Sequence, residues 1–310
     1  MSGSSLDSQP LLVLVGPTAS GKSDLALHLA TSWDLEIVSL DSMLVYRGMD
    51  IGTAKPSRGE LAAVPHHMID IASPAERFDI QRFLKEAEEA LADIQARGKR
   101  ALFVGGTGFY LAALLRGLFE GPPVDEALRA RLEAHAQEVG PKALHAELAR
   151  LDPASAERLH PGDVRRVIRG LEIYEQSGRT LSSWQTQWNA EEKPRLSQAR
   201  LLGLHLDTPQ LDARIAARTG KMLDDGWREE ASRLRENPGL GPSAIQALGY
   251  RTVLAWADGE IERSEAQSTI ALRTRQFARR QRTWYRKFDI HWLPADGTDL
   301  SSAAAQQLLL

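Results

Sequence analysis

The sequence predicts an α/β protein, in which a parallel sheet covered by helices on both faces carries a helical insertion and is followed by a helical C-terminal part. Three observations predict it. First, the apolar run Leu11–Val15, the loop 16–21 and the helical spacing over 23–30 read as strand, glycine-rich turn and helix. Second, further β-like runs at 36–40, 101–104, 201–206 and 290–293 alternate with helical patterns such as Ile80–Ala96. Apolar strands that alternate with helices belong to a sheet buried on both sides. Third, the spacing is uneven, because the strands at 101 and 201 stand about a hundred residues apart with helical patterns and little β signal between them. Gly121-Pro122-Pro123 marks the entrance of that interval and Lys193-Pro194 lies near its exit. The expected division is a disordered leader at 1–10, a core made of 11–121 and 197–310, and a helical insertion domain at 122–196. Beyond Asp207 helices are expected at 209–219, 221–235, 243–257 and 261–287, and the tail 301–310 carries no signal.

Composition narrows the function classes. The chain has 310 residues, of which 43% are hydrophobic and 25% charged, as in an ordinary globular protein. It has no cysteine, which excludes disulfides, Cys-based zinc sites and a thiol nucleophile and suits a reducing cytosol. No apolar run approaches the roughly 18 residues of a membrane span, and the polar leader lacks the features of a signal peptide. The expected setting is the cytoplasm, away from membranes, with a monomeric chain. Net charge is only -3, yet residues 273–287 hold Arg273, Arg275, Arg279, Arg280, Arg282, Arg286 and Lys287 with no acid among them. Such a stripe on a slightly acidic protein is a surface aimed at an anion or a solvated helix face.

Gly16-Pro17-Thr18-Ala19-Ser20-Gly21-Lys22-Ser23 matches the P-loop pattern, directly after a strand and opening a helix. Glycines let the backbone curl so that its N–H groups converge. The helix N-terminus adds its positive end. Lys22 supplies a mobile cation and Ser23 a hydroxyl for Mg2+. The fold expected is therefore P-loop NTPase-like, with a diphosphate or polyphosphate site. ATP hydrolysis does not follow, because the run Ala101-Leu102-Phe103-Val104 ends in Gly105-Gly106-Thr107-Gly108 without the usual magnesium-holding acid. The available carboxylate is Asp41, after the strand at 36–40. Ligands bind at the carboxyl ends of strands in such sheets, so Asp41 is expected in the crevice of the P-loop, as a general base or a water-mediated magnesium holder. An N-cap or turn aspartate is the plainer alternative.

The string from Asp41-Ser42-Met43-Leu44 through Tyr46-Arg47-Gly48-Met49-Asp50-Ile51-Gly52-Thr53-Ala54-Lys55-Pro56, together with the P-loop, resembles the tRNA dimethylallyltransferase family. The likeness continues through Pro65-His66-His67-Met68-Ile69-Asp70, Gly105-Gly106-Thr107-Gly108-Phe109-Tyr110, Leu159-His160-Pro161-Gly162-Asp163, Gly249-Tyr250-Arg251 and Arg280-Gln281-Arg282-Thr283-Trp284. It spans about residues 10 to 290. The resemblance implies transfer of a dimethylallyl group from dimethylallyl diphosphate to N6 of adenosine 37, in tRNAs reading codons that begin with U. It implies Mg2+ as cofactor, held in part by Ser23, and a grip on the anticodon stem-loop between core and insertion.

Residue by residue, the resemblance implies that Asp41 is the general base, that Thr18 and the P-loop hold the diphosphate, and that Arg218 binds it, with Arg214 as the alternative one turn away. For tRNA it implies Asp41, Ser42, Met43, Leu44, Thr107, Arg129, Arg165, Arg166, Val167, Ile168, Arg169, Gln246, Gly249, Tyr250, Arg251, Arg279, Arg280, Gln281 and Arg282. The chain departs from the common family pattern at Arg165, where Gln is usual, and at Gln246, where an arginine is usual. The chemistry suits these parts. An allylic diphosphate ionises readily, so the main task is to stabilise the leaving diphosphate. The adenine amine is a poor nucleophile that a carboxylate helps by taking its proton, and a stacked loop base must flip out to reach a crevice.

Two other readings share the cradle. A small-molecule kinase would use Asp41 as base toward an alcohol, and an RNA-binding protein could retain a decayed P-loop. The basic stripe and the helical insertion weigh against the first, and intact Lys22, Ser23 and Asp41 against the second. The neighbours His66 and His67 point in different directions and read as structural. Tyr110 reads as core, Trp184 and Trp188 as packing on one helix face, and Trp284 as either packing or RNA contact.

Overall fold

A computed structural model describes residues 10–117, 121–184 and 199–310; the expected leader up to residue 9, Trp188 and the Lys193-Pro194 exit lie outside the described residues. The strands β1 (Leu11–Val15), β2 (Leu35–Ser39), β3 (His66–His67), β4 (Arg100–Gly105), β5 (Ala199–His205) and β6 (His291–Pro294) form one sheet in the order β3-β2-β4-β1-β5-β6. All pairings are parallel, with Val13 opposite Phe103 and Leu201, and Val38 opposite Phe103. The side-chain period of two divides each strand between two cores. Val13, Val15, Val38 and Phe103 pack on one face with Phe83, Tyr110 and Ile270. Leu12, Leu14, Ile37 and Leu102 pack on the other with Leu25, Leu29, Ala304 and Leu308.

Helices α1 (Lys22–Trp33), α2 (Arg58–Ala63), α3 (Ile80–Ala96) and α4 (Gly108–Arg116) belong to the first half of the chain. Then follow α5 (Glu126–Val139), α6 (Pro141–Leu151), α7 (Pro153–Arg158), α8 (Val164–Ser177) and α9 (Leu181–Trp184). The C-terminal part holds α10 (Thr208–Asp224), α11 (Trp227–Glu236), α12 (Tyr250–Ala257), α13 (Arg263–Tyr285) and α14 (Leu300–Leu309). The chain separates into two compact units, one of residues up to Leu115 and from Pro194 onward, the other Arg116–Lys193. Among the described residues no helix is long and apolar enough to cross a membrane.

The sequence pattern and the structure differ at the short edge strand β3, which no apolar run announced, and at three helical places. The helix expected over 221–235 breaks at Gly226, whose φ of 99° is left-handed; α10 ends at Asp224 and α11 begins at Trp227. The helix expected over 243–257 starts only at Tyr250, because the Gly249 φ of 97° stops the preceding turn from propagating. The tail forms α14, whose Ala304, Ala305 and Leu308 complete the second sheet face. Its sparse apolar spacing is legible only once that face exists.

In the second unit Leu132, Leu144, Leu148, Val167, Ile168 and Leu171 form a separate core. The fully buried Glu172 of α8 organises one side of it. Its carboxylate accepts the Asp125 amide at 3.0 Å and pairs with Arg129 and, at 2.9 Å, with Arg169. Arg169 also donates to the Pro122 carbonyl at 2.7 Å. A buried carboxylate is tolerable only when paired and hydrogen-bonded, so these two arginines are internal counter-charges. Arg129 and Arg169, for which tRNA contacts were expected, are both committed to this carboxylate. Val167 and Ile168 are core side chains as well, with 0% and 4% exposure, and have no surface to offer RNA. Arg165 and Arg166, on the other face of α8, are exposed.

Candidate active site

The carboxyl ends of β2, β4 and β1 are neighbours in the sheet, and each runs into a chemically distinctive loop. After β1 comes the P-loop. A Cβ on Gly16 would stand 2.7 Å from Ser20 Oγ and 3.1 Å from the Leu204 carbonyl oxygen, so the loop can turn beside β5 only with glycine there. Ala19 and Gly21 take left-handed conformations, with φ of 65° and 92°. Left-handed residues between right-handed ones curl a chain into an anion-binding nest, and α1 opens at Lys22 with its N-terminus toward that nest.

Two cations flank the loop. Lys22 Nζ lies 3.5 Å from the Pro17 carbonyl. Burial pulls its pKa down to about 8, partly opposed by the negative charge of Asp41 and reinforced by the positive charge of Arg218. Arg218, on α10, donates to Thr18 Oγ1. Burial also works against its charge, and Asp41 again opposes that effect. Arg214, one turn earlier, reaches only the Ser20 carbonyl at 3.4 Å and is largely exposed. Of the two arginines, Arg218 is the one committed to Thr18 and the one whose charge is desolvated.

Asp41 follows β2 by way of Leu40. Its Oδ1 accepts the Met43 amide at 2.8 Å, the turn role that the plainer reading gave it. Its Oδ2 has no hydrogen-bond partner among the described residues. The turn thus orients the carboxylate and leaves that second oxygen unbonded. After β4, Thr107 ties the third loop to the second: its amide donates to the Leu40 carbonyl at 3.2 Å and its hydroxyl accepts the Ser42 amide at 3.3 Å.

Helix α13 closes the group from the far end of the chain. Gln281 is 4% exposed. Its Oε1 accepts the Thr18 amide at 2.9 Å, and its Nε2 donates to the Gly106 carbonyl at 2.8 Å. One turn on, the buried Tyr285 hydroxyl lies 3.1 Å from the Gly16 carbonyl and 3.3 Å from that of Gly106. Burial raises the Tyr285 pKa, so the phenol stays a donor. Gln281 is therefore an internal strut between P-loop and Gly105-Gly106-Thr107, with almost no surface for the tRNA contact that the resemblance implied. Arg282 is also turned inward, with one NH2 donating to the Leu206 carbonyl at 2.6 Å. Arg279 and Arg280 remain exposed.

The long loop after Asp41 is pinned with equal care. Glu230 of α11 is 2% exposed and accepts the amides of Asp50, Ile51 and Gly52 at 2.8, 2.7 and 3.0 Å, and the Tyr250 hydroxyl at 2.7 Å. Lys55 Nζ donates to the Tyr46 carbonyl and to Asp50 and Asp70 at 2.8, 2.6 and 2.5 Å. Tyr250 is wholly buried and Gly249 packs against Trp227, so both serve this scaffold and not an RNA surface; Gln246 and Arg251 beside them are exposed. The sequence reading missed Glu230, although Trp227, Ala231 and Leu234 mark a buried stripe on which position 230 falls. His66 and His67 are bound to the Val64 carbonyl and to Glu36, and Tyr110 stacks on Phe83 with centroids 4.0 Å apart. Trp184 carries the Arg179 guanidinium 4.1 Å over its ring.

A sequence profile described as IPP transferase matches residues 44–288, and one described as isopentenyl transferase matches 9–73. The tRNA dimethylallyltransferase of Methylococcus capsulatus is 45% identical over 302 residues, covering 96% of this chain and 96% of that protein. The chain belongs to the tRNA dimethylallyltransferase family. The homologue of that name from Sorangium cellulosum is 45% identical over 276 residues, 89% of this chain and 87% of its own length. Among solved structures, the Bacillus halodurans tRNA isopentenylpyrophosphate transferase superposes with a TM-score of 0.69 at 35% identity, covering 96% of this chain and 94% of that one. A eukaryotic dimethylallyltransferase captured acting on tRNA gives 0.76 at 30% identity, with 97% and 76% covered. Membership makes this chain a prenyltransferase on a P-loop-like α/β fold, and it disposes of the kinase and the decayed binding protein as rivals.

Proposed function

We propose that this protein transfers the dimethylallyl group of dimethylallyl diphosphate to N6 of adenosine 37 in tRNAs that read codons beginning with U. The observation that carries the reading is the meeting of three loops at adjacent strand ends. The P-loop with Lys22 and Arg218 forms a cationic nest, and Asp41 presents one carboxylate oxygen beside it. In the reaction the bond between the allylic carbon and the diphosphate oxygen breaks, and a bond from N6 to that carbon forms. The released diphosphate is held by P-loop amides, Lys22 and the Arg218–Thr18 pair, in a desolvated setting where such interactions are strong. The N6 proton goes to Asp41, acting as general base.

The donors present fit Mg2+. Among the described residues no cluster of three or more His, Cys, Asp or Glu side chains is placed to hold a metal. The P-loop offers the exposed Ser23 hydroxyl, and Mg2+ characteristically takes few protein oxygens, completing its octahedron with phosphates and water. When bound, the ion would neutralise charge on the departing diphosphate.

For the tRNA anticodon stem-loop, the accessible candidates are Ser42, Met43, Leu44, Thr107, Gln246, Arg251, Arg279 and Arg280 in the sheet unit, and Arg165 and Arg166 in the helical unit. Arginines on exposed helix faces suit phosphate contacts. The test is to incubate the protein with labelled dimethylallyl diphosphate, Mg2+ and bulk tRNA, digest the RNA to oligonucleotides to locate the label, and then to nucleosides to identify it. Label in N6-(dimethylallyl)adenosine next to the anticodon is expected. Label elsewhere, or none, would refute the assignment.

A further inference from the structure

Phe109 is an anomaly close in sequence to the crevice loops. It follows Thr107 by two residues, in the first turn of α4, and is 39% exposed although the rest of that helix from Tyr110 to Leu115 is buried. The ring is held there deliberately. Trp284 of α13 presses on the α4 backbone so closely that a Cβ on Gly108 would stand 2.6 Å from the Trp284 Cβ. The Phe109 and Trp284 rings lie 6.3 Å apart at 55°. Lys287 sits 3.9 Å over the Trp284 ring, and the exposed Arg280 is one turn earlier on the same helix. The result is a partly exposed aromatic ring, two residues past Thr107, backed by Trp284 with Lys287 over that tryptophan; Thr107 itself bonds to Leu40 and Ser42 on either side of Asp41.

We infer that Phe109, braced by Trp284, is the stacking platform for a nucleobase flanking the target adenosine in the RNA loop. The inference rests on the tRNA reading above and adds a residue and a ligand contact to it. The physical need is specific. When the target base flips into the crevice, its neighbour in the loop loses a stacking face. Proteins that hold unstacked bases replace that face with an aromatic side chain, and cations alongside take the flanking phosphates. A ring two residues past Thr107, kept partly in water with a tryptophan behind it, meets that need. A buried core phenylalanine would not.

The test uses the full-length protein and an anticodon stem-loop RNA, with binding measured directly and not through turnover. Phe109→Ala should weaken RNA binding about 5- to 150-fold, the range for losing one base–aromatic stack. Phe109→Trp should retain affinity, and Phe109→Leu, apolar but without a π face, should restore only part of it. Affinity for dimethylallyl diphosphate, measured without RNA, should stay level in all three. Removing the base on one side of the target adenosine should cost the wild type a similar factor and cost Phe109→Ala nothing more. Equal RNA affinity in the alanine and tryptophan variants, or additive losses from the abasic RNA and Phe109→Ala, would overturn the platform. In that case wild-type transfer to tRNA still stands; absence of wild-type transfer instead strikes the functional assignment.

Discussion

Replacing Gln281 with leucine separates a strut from an RNA contact. The leucine keeps most of the volume and removes both polar ends. The Thr18 amide loses its partner at 2.9 Å, while the Gly106 carbonyl keeps the Tyr285 hydroxyl at 3.3 Å. One orphaned buried donor costs about 1–3 kcal/mol, and the half-buried Thr18 amide falls at the lower end, with the weakened acceptor adding less. The variant should therefore unfold at lower denaturant, by about that free energy. The freed amide also sits inside the P-loop, so the loop can settle into other conformations. Affinity for dimethylallyl diphosphate should fall by about fivefold or more, the equivalent of 1 kcal/mol, while the direct affinity for tRNA stays within about twofold. Denaturant titration, diphosphate binding and tRNA filter binding measure the three quantities on one preparation. If tRNA affinity drops while stability and diphosphate affinity do not move, Gln281 faces the RNA and the strut is wrong.

Three further outcomes follow from the same geometry. Asp41→Ala should lower single-turnover transfer by about 10²-fold or more, as loss of a general base does, with tRNA binding little changed; near-normal turnover would remove Asp41 from the chemistry. Because burial lowers the Lys22 pKa to about 8, the ammonium form is complete below that pH and lost above it. Diphosphate capture by the free enzyme, read as kcat/KM for the prenyl donor, should decline as pH rises through about 8, and Asp41→Asn should move that break to lower pH; a flat profile from neutral to strongly alkaline pH contradicts this. Neutralising Arg279 and Arg280 should flatten the salt dependence of tRNA binding by roughly 0.7 log–log unit per lost contact on single-stranded RNA, whereas Arg282→Ala, which removes the donor to Leu206, should lower stability and leave the salt slope alone.

The helical unit shows why a contiguous motif is an imprecise guide to contact. Residues 165–169 come as a block in the family pattern, yet a helix divides any five residues between two faces. Arg165 and Arg166 reach solvent, Val167 and Ile168 fill the core, and Arg169 turns to Glu172. The spacing of Val164, Val167, Ile168 and Leu171 carried that division already. The block assignment passed over it.

What the sequence by itself determined is what local chemistry encodes. Gly16 and Gly21 with Lys22 and Ser23 specify a curled anion nest at a helix start, because backbone curvature and a helix terminus need only neighbouring residues. The apolar runs determined a parallel sheet buried on both sides, and the long motif strings determined the family. The tertiary structure alone decided which polar side chains face inward. Thr18 and Gln281 stand 263 positions apart, and Glu230 lies about 180 positions from the amides it accepts. Gln281 looks like part of a basic surface stripe, and Glu230 like one acid in a charged helix. Each finds its role only when packing brings a distant, unsatisfied backbone group against it, since the cost of burying that group unpaired is what selects the partner.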